Sequence, residues 1–157
     1  MVLGLALLLT IISSPLMAVQ KFHSLSKNDE HLLQRHRHSV MQYLDAVSLE
    51  KYTAASGKLG TIRALLMAKP QSEHQDHELI SMGVVLGDAF VQDMGFHWIV
   101  VLDDVGRELA LRFQDTSVIL FPTHMIAKRV WRGEAVDIFD LYNGVASLAE
   151  EQISSSK

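Results

Sequence analysis

The spacing of apolar residues predicts two helices in the first half of the chain. In both, hydrophobic side chains recur at intervals of three and four residues, as on the buried face of an amphipathic helix. The first helix is predicted over residues 29–46, with Arg37 on its solvent side, and the second over residues 58–68. Residues 54–57 between them read Ala-Ala-Ser-Gly, which is typical of a turn or a slack linker.

A third predicted helix, over residues 73–94, has the strongest pattern. Ser72 is its expected N-cap, and Gly95 is its expected stop. Gly83 and Gly87 lie inside this helix, where each glycine costs up to ~1 kcal/mol relative to alanine. We therefore predict that another part of the chain approaches the helix closely at these glycines, most simply because the helix packs tightly on a sheet.

The pattern then changes from helical to strand-like. Residues 98–102 are rich in β-branched and aromatic side chains, and residues 108–113 can return as a partner strand after a turn. Residues 117–121 predict a third strand, apolar enough to lie at the centre of a sheet, and Pro122 ends it.

Two more helices are predicted after the strands, one from Thr123 to Gly133 and one over residues 136–152. Helices, then antiparallel strands, then helices is the order of an α+β protein and not of a parallel doubly wound sheet. We predict an α+β fold in which a three-stranded antiparallel meander packs against helices, with the N-terminal helices preceding the sheet.

Residues 1–18 have the pattern of an export signal. They contain no charged residue, and an apolar run is followed by Ser13-Ser14-Pro15 and by the small residue Ala18. No Lys or Arg precedes the run, so an uncut anchor and a buried cytoplasmic helix stay as alternatives. We expect cleavage after Ala18, a periplasmic or secreted location, and a single α+β domain over residues 19–157 without stable membrane insertion.

Composition narrows the class of protein. With 48% hydrophobic and 20% charged residues, the chain is typical of a globular domain and not of a disordered one. Its net charge of −4 offers no basic field for a phosphate backbone, so we expect no nucleic-acid partner. The chain has no cysteine, which excludes disulfides, thiolate metal sites and cysteine nucleophiles.

No sequence motif marks a catalytic centre. The chain lacks a G-x-S-x-G elbow, a glycine-rich phosphate loop and a G-x-G-x-x-G motif, and Asp103-Asp104 is more typical of a turn than of an acid/base pair. An enzyme with scattered catalytic residues stays possible and is the less favoured class. We name no catalytic residue and no cofactor.

Histidines are the other candidate for chemistry. His74 and His77 stand three apart on the predicted third helix, where they would face the same way on its surface. Such a pair can bind zinc or copper with a third ligand from His31, His36 or His38. The pair lacks the H-E-x-x-H spacing, and His36 fits the apolar face of its own helix. We therefore assign no metal ligand.

The order of motifs in the second half resembles the bacterial domain of unknown function 3806, over residues 79–142. The matching segments are L-I-S-M-G-V-V-L-G-D-A-F (79–90), H-W-I-V-V (97–101), G-R-E-L-A-L-R-F (106–113), S-V-I-L-F-P-T-H-M-I-A-K-R-V (117–130), G-E-A-V-D (133–137) and D-L-Y (140–142). The resemblance implies a compact α+β module, preceded by a helical part at residues 19–77, and it brings no reaction with it. It places six residues at signature positions: Gly87, Asp88, Trp98, Gly106, Pro122 and Lys128.

Physical roles can be predicted for three of these positions. Trp98 is most simply a core residue whose indole N–H needs an acceptor, and Asp88 either supplies that acceptor or lies exposed. Lys128 belongs to a basic cluster with Arg129 and Arg132, which is either a solvated helix face or a docking site for an acidic surface on a partner.

A small exported domain without a catalytic motif is most simply a binding protein. We therefore expect it to bind another protein, and one concrete form is an immunity-type inhibitor of a toxin in the periplasm. The alternative is an envelope enzyme or metal-binding protein that uses the histidine-rich segments. An inhibitor should show a contiguous one-signed or apolar patch and no deep polar pocket, whereas an enzyme should show a concave pocket with convergent titratable groups.

The export signal predicts the mass of the mature protein. Protein recovered from the cell envelope should begin at Val19, because cleavage follows the small residue Ala18. Intact-mass spectrometry of the fractionated protein measures this directly. Full-length chain recovered in the cytosol would contradict the predicted location.

Overall fold

The computed structural model describes residues 20–155, so the expected signal segment 1–18 lies outside the described residues. The helices in the described part are α1 (Lys27–Met41), α2 (Ala46–Tyr52), α3 (Ala55–Met67), α4 (Asp76–Met94), α5 (Met125–Trp131) and α6 (Ile138–Ser155). The strands are β1 (Lys21–His23), β2 (Phe96–Leu102), β3 (Arg107–Phe113) and β4 (Ile119–Leu120). One-turn 3-10 helices cover Gln71–Glu73 and Pro122–His124. Within residues 20–155, no helix is long and apolar enough to cross a membrane.

The α+β class is confirmed, but the prediction of three strands is wrong. Within residues 20–155 the sheet has four antiparallel strands in the order β1-β2-β3-β4, and β1 precedes every helix. Because all three residues of β1 are exposed, they carry no apolar alternation that could mark a strand. The backbone edge of β2 provides the pairing partner, with Phe22 opposite Val101. The third predicted strand is the two-residue β4 at the other edge of the sheet, not at its centre.

The first predicted helix corresponds to α1 but ends earlier than predicted, at Met41, and a separate helix, α2, begins at Ala46. Asp45 starts α2 by accepting a 2.7 Å hydrogen bond from the backbone N–H of Ser48. The predicted linker at residues 54–57 is wrong for its last three residues, which form the first turn of α3. Gly57 fits there because a Cβ at this position would collide with the carbonyl of Lys51 and lie 3.0 Å from the backbone nitrogen of Tyr52.

Asp29 ties the start of α1 to the β2–β3 hairpin. Its carboxylate accepts the backbone N–H of Ser26 at 2.8 Å, and its own N–H donates to the Ser26 hydroxyl, which completes a capping box. Arg107 on β3 donates to both oxygens of this buried carboxylate, at 2.8 and 2.7 Å. The Arg107 hydrogen bond lowers the pKa of Asp29 to about 2, so the side chain is ionised at neutral pH.

Helix α4 is the centre of the core. Ten of its nineteen residues are buried, and α1, α3, α5 and β2 all contact it. The helix begins at Asp76, three residues later than predicted, because Ser72 lies in a 3-10 turn and Gln75 and Glu78 form the capping box. It ends as predicted at Gly95, which adopts a left-handed conformation with φ +76°.

The close approach predicted at Gly83 is confirmed, but its partner is a turn and not the face of the sheet. A Cβ on Gly83 would lie 2.7 Å from the carbonyl oxygen of Pro122 and closer still to that of Thr123. Because these are backbone atoms, a side chain here cannot be accommodated by a change of rotamer.

The two glycines Gly83 and Gly60 should respond oppositely to alanine. We expect Gly83→Ala to lower the free energy of unfolding by roughly 1–3 kcal/mol, because the added methyl group overlaps the Pro122–His124 turn. A Cβ added at Gly60 in α3 would meet no other part of residues 20–155 within 4 Å, so Gly60→Ala should raise stability by up to ~1 kcal/mol through helix propensity. Urea unfolding followed by circular dichroism measures both, and equal effects would contradict the packing at Gly83.

Candidate functional site

Three places hold polar side chains with a possible functional role. We call the first the Asp88 cluster; it consists of Arg37, Gly87, Asp88, Trp98 and Pro122. Arg37 donates to Asp88 through Nε and Nη2, both at 2.7 Å, and the indole Nε1 of Trp98 donates at 3.0 Å. Asp88 was predicted either to accept from the indole N–H or to lie exposed. The structure shows that it accepts from the indole.

The Asp88 cluster is largely shielded from solvent. The side chains of Asp88 and Arg37 are 12% and 24% exposed, and the hydrogen bonds from Arg37 to Asp88 raise the pKa of the guanidinium above its usual value. Nearby, burial raises the pKa of Tyr52 to about 12, so its hydroxyl is neutral. Both oxygens of Asp88 are engaged by these donors, so the carboxylate serves to join α1, α4 and β2.

Gly87 lets the indole lie against α4. A Cβ on Gly87 would lie 2.7 Å from Cη2 of Trp98 and 2.9 Å from Cγ of Pro122. Four of the six signature positions, on α4, β2 and the turn after β4, therefore meet in one place. The contacts of these four residues give each of them a structural role, either in packing or in the ion pair between Asp88 and Arg37.

The other two signature positions, Gly106 and Lys128, line a second place, which we call the hairpin cleft. This cleft of about 440 Å³ lies between the β2–β3 turn and α5, and its lining includes Val105, Gly106, Glu108, Phe121, His124 and Lys128. Asp103 is a turn residue, as predicted, because its Oδ1 accepts the N–H groups of Val105 and Gly106 at 2.9 and 3.1 Å. His124 Nδ1 lies 3.2 Å from Glu108 Oε1.

The three residues of the predicted basic cluster differ in whether they have partners. Arg129 donates to the carbonyl of Met125 at 2.8 Å, and Arg132 pairs with Glu134 at 2.6 Å. Lys128 is exposed and has no hydrogen-bond or ion-pair partner in residues 20–155. Trp131, one turn further along, is 52% exposed, and its ring centre lies 6.3 Å from that of His124.

The third place is a cavity of about 250 Å³, which we call the His74 cavity. Its walls come from α1, α3, α4 and the segment between α3 and α4: Ser39, Val40, Gln42, Tyr43, Leu65, Ala68, Lys69, His74, His77, Glu78, Ser81 and Met82. His74 Nδ1 lies 3.2 Å from Glu78 Oε2, and Lys69 Nζ donates to the same oxygen at 2.9 Å. The hydrogen bond from Lys69 lowers the pKa of Glu78 to about 2.

The expectation for His74 and His77 is partly wrong. They line one cavity, but His74 precedes α4, so they are not a helical pair, and the His74 side chain is only 4% exposed rather than on the surface. His36 donates or accepts a 2.9 Å hydrogen bond with Ser81, and burial lowers its pKa, in line with its predicted apolar face. No group of three or more His, Asp or Glu side chains within residues 20–155 is arranged to hold a metal ion.

Sequence reasoning missed Arg37 and the Lys69–Glu78 pair. Arg37 was assigned to the solvent side of α1, and its partner Asp88 lies 51 residues away. Lys69 and Glu78 lie nine residues apart and belong to no sequence motif. Opposite charges far apart in sequence give no local pattern, so only the packed structure brings them together.

The fold defines the class of this protein. It is an α+β module in which one central helix joins a four-stranded sheet to the surrounding helices. The chain belongs to the family described as domain of unknown function (DUF3806), whose model matches residues 58–142. The match confirms the resemblance and extends it toward the N-terminus to include most of α3. No curated protein matches the sequence.

A solved structure shares the fold. The 1.50 Å crystal structure of a protein from Bacteroides thetaiotaomicron VPI-5482 is similar with a TM-score of 0.63 and 12% sequence identity. The similarity covers 81% of this chain and 47% of the other, so this chain spans about half the length of that protein. At this identity the likeness shows a common fold only.

Because Arg37 belongs to the shielded Asp88 cluster, it should contribute far more to the free energy of unfolding than an exposed arginine with a similar partner. We expect Arg37→Met to lower the free energy of unfolding by ~3–5 kcal/mol, because it leaves the shielded Asp88 without its ion pair. The matched control is Arg132→Met, which removes an equally short but exposed ion pair and should leave the thermal midpoint unchanged. Thermal unfolding of both variants measures the contrast.

Trp98→Ala tests whether the indole is a structural group. The truncation should cost ~3–5 kcal/mol through lost burial and a cavity. A Trp98→Ala protein that melts like the wild type but no longer binds its partner would instead identify the indole as a recognition group.

Proposed function

We propose that this protein is an exported binding module that acts by contact with another protein through the hairpin cleft. The observation that carries the proposal is Lys128, an exposed cation without a partner in the described residues, in the wall of the cleft that Gly106 also lines. The other two basic residues on α5 are engaged by the protein itself. A free cation at the wall of a cleft is suited to a carboxylate on a partner.

Two exposed apolar side chains lie in the vicinity of this cation. Val105 at the tip of the β2–β3 hairpin is 97% exposed, and Trp131 lies three residues after Lys128 on the same face of α5. Tryptophan is enriched among the residues that dominate protein–protein binding energy. A cation with exposed apolar groups nearby therefore fits a partner segment that carries an acidic residue next to apolar ones.

An immunity-type inhibitor of a toxin in the periplasm is one concrete form of this function. That role needs a stable small fold and a complementary surface, and it needs no reaction of its own. The export part of the proposal is supported by the apolar pattern of residues 1–18.

Site-specific cross-linking in the cell envelope tests the contact surface. A photoreactive residue at position 105 or 131 should capture the same partner. One at Leu148, which is likewise exposed, at 60%, but lies on α6, should not. Equal capture from all three positions would contradict the assigned surface.

The purified partner then tests Lys128 itself. We expect Lys128→Glu to weaken binding at least tenfold, about 1.4 kcal/mol, because it sets a carboxylate against a carboxylate. Its matched control is Lys51→Glu on α2, the same charge change at an exposed lysine outside the cleft. Titration calorimetry with unchanged melting temperatures for both variants measures the effect, and equal affinities would contradict the proposal.

A further inference from the structure

His74, which lines the His74 cavity, has a buried polar atom without a hydrogen-bond partner in residues 20–155. Nε2 of His74 is buried and has no hydrogen-bond partner, although the other ring nitrogen lies 3.2 Å from Glu78. A buried polar group without a partner costs ~1–3 kcal/mol, so such groups are rare unless they have a use.

The surroundings of the ring determine which nitrogen carries the proton. Glu78 Oε2 accepts from Lys69 Nζ and from the backbone N–H of Gln75, both at 2.9 Å, and it is an ionised carboxylate. An ionised carboxylate can only accept a hydrogen bond, so in the neutral form of the ring the proton lies on Nδ1, which donates to Glu78. The free Nε2 is then an acceptor.

The rest of the cavity is mainly apolar. Val40 and Met82 are each 2% exposed and, with Leu65 and Ala68, form walls around the polar end made by His74 and Glu78. The volume of about 250 Å³ exceeds the ~150 Å³ that accepts benzene and is just below that of drug-sized sites. The size suits a molecule with one ring or a short branched chain.

We propose that the His74 cavity is a binding site for a small molecule that has an apolar body and one hydrogen-bond donor, which it gives to Nε2 of His74. Glu78 and Lys69 are positioning residues, because they hold the ring in the orientation and the protonation form that accept this hydrogen bond. The site is separate from the hairpin cleft, with which it shares no lining residue.

The hydroxyl of Ser81 in the cavity wall is not paired with His74. Ser81, the buried hydroxyl in the wall, donates to the carbonyl of His77 at 2.7 Å and is within 2.9 Å of His36 Nδ1. The hydroxyl proton of Ser81 is therefore given to the backbone, and the imidazole within hydrogen-bond distance of this hydroxyl is that of His36 and not that of His74.

Two probes of nearly the same shape test this site. We expect p-cresol, which has a hydroxyl donor, to bind at least fivefold more tightly than 4-methylanisole, which cannot donate, because one neutral hydrogen bond contributes ~1 kcal/mol. Titration of the purified, isotope-labelled protein by amide NMR up to the solubility limit of each probe gives both affinities. The shifted amides should belong to the residues that line the cavity.

Variants connect the preference to His74. His74→Phe should remove the difference between the probes, whereas His97→Phe, the same change at an exposed position on β2 outside the cavity, should leave it intact. Ala68→Trp at an exposed wall position should weaken both probes without unfolding the protein. Any of four results would overturn the proposal. These are equal affinities of the two probes in the wild type, an unchanged preference in His74→Phe, amide shifts only outside the cavity, and no saturable amide shift.

Discussion

The carboxylate of Asp88 is the group on which the arrangement of the helices around the sheet depends. A carboxylate that is 12% exposed needs charge and hydrogen-bond partners, because its desolvation is costly otherwise. Arg37 on α1 and Trp98 on β2 supply them from opposite directions. Three elements that are distant in sequence are therefore held at one point on α4, and the glycine beside Asp88 leaves room for the indole.

The second constraint lies one turn earlier on the same helix. Gly83 allows the carbonyls of the Pro122–His124 turn to lie against α4, and this turn leads directly into α5. The position of α5, and with it that of Lys128 and Trp131, follows from that contact. The exposed surface at the hairpin cleft thus depends on backbone packing in the core, while Asp29 and Arg107 fasten the hairpin on its other side to α1.

In the His74 cavity, unlike in the Asp88 cluster, a polar group is held at a cost to the stability of the fold. A buried imidazole nitrogen without a partner adds nothing to the stability of the fold. Its neighbours Glu78 and Lys69 nevertheless form a well-ordered pair that fixes the ring. Groups held precisely at a cost to stability are typical of binding sites, whereas the Asp88 cluster, in which both carboxylate oxygens have donors, has the properties of a structural site.

Local patterns in the sequence determined the elements whose signals are local. The apolar period of α4 and its end at Gly95, the β2–β3 hairpin with its Asp103 turn, the α+β class and the family over the second half could all be predicted. Each depends on side-chain period, on turn and cap chemistry, or on motif order within a short segment. The demand of the Trp98 indole for an acceptor was likewise readable from one residue.

The tertiary structure alone decided which distant partners meet. The three residues of β1 have no period and form a strand only because β2 offers a free edge. Arg37 looks like a solvent-facing residue until α1 packs beside Asp88, and His74 looks exposed until α1 and α3 cover it. An apolar period reports that a face is buried but not against what, so ion pairs, sheet edges and cavities follow from packing geometry that no local pattern contains.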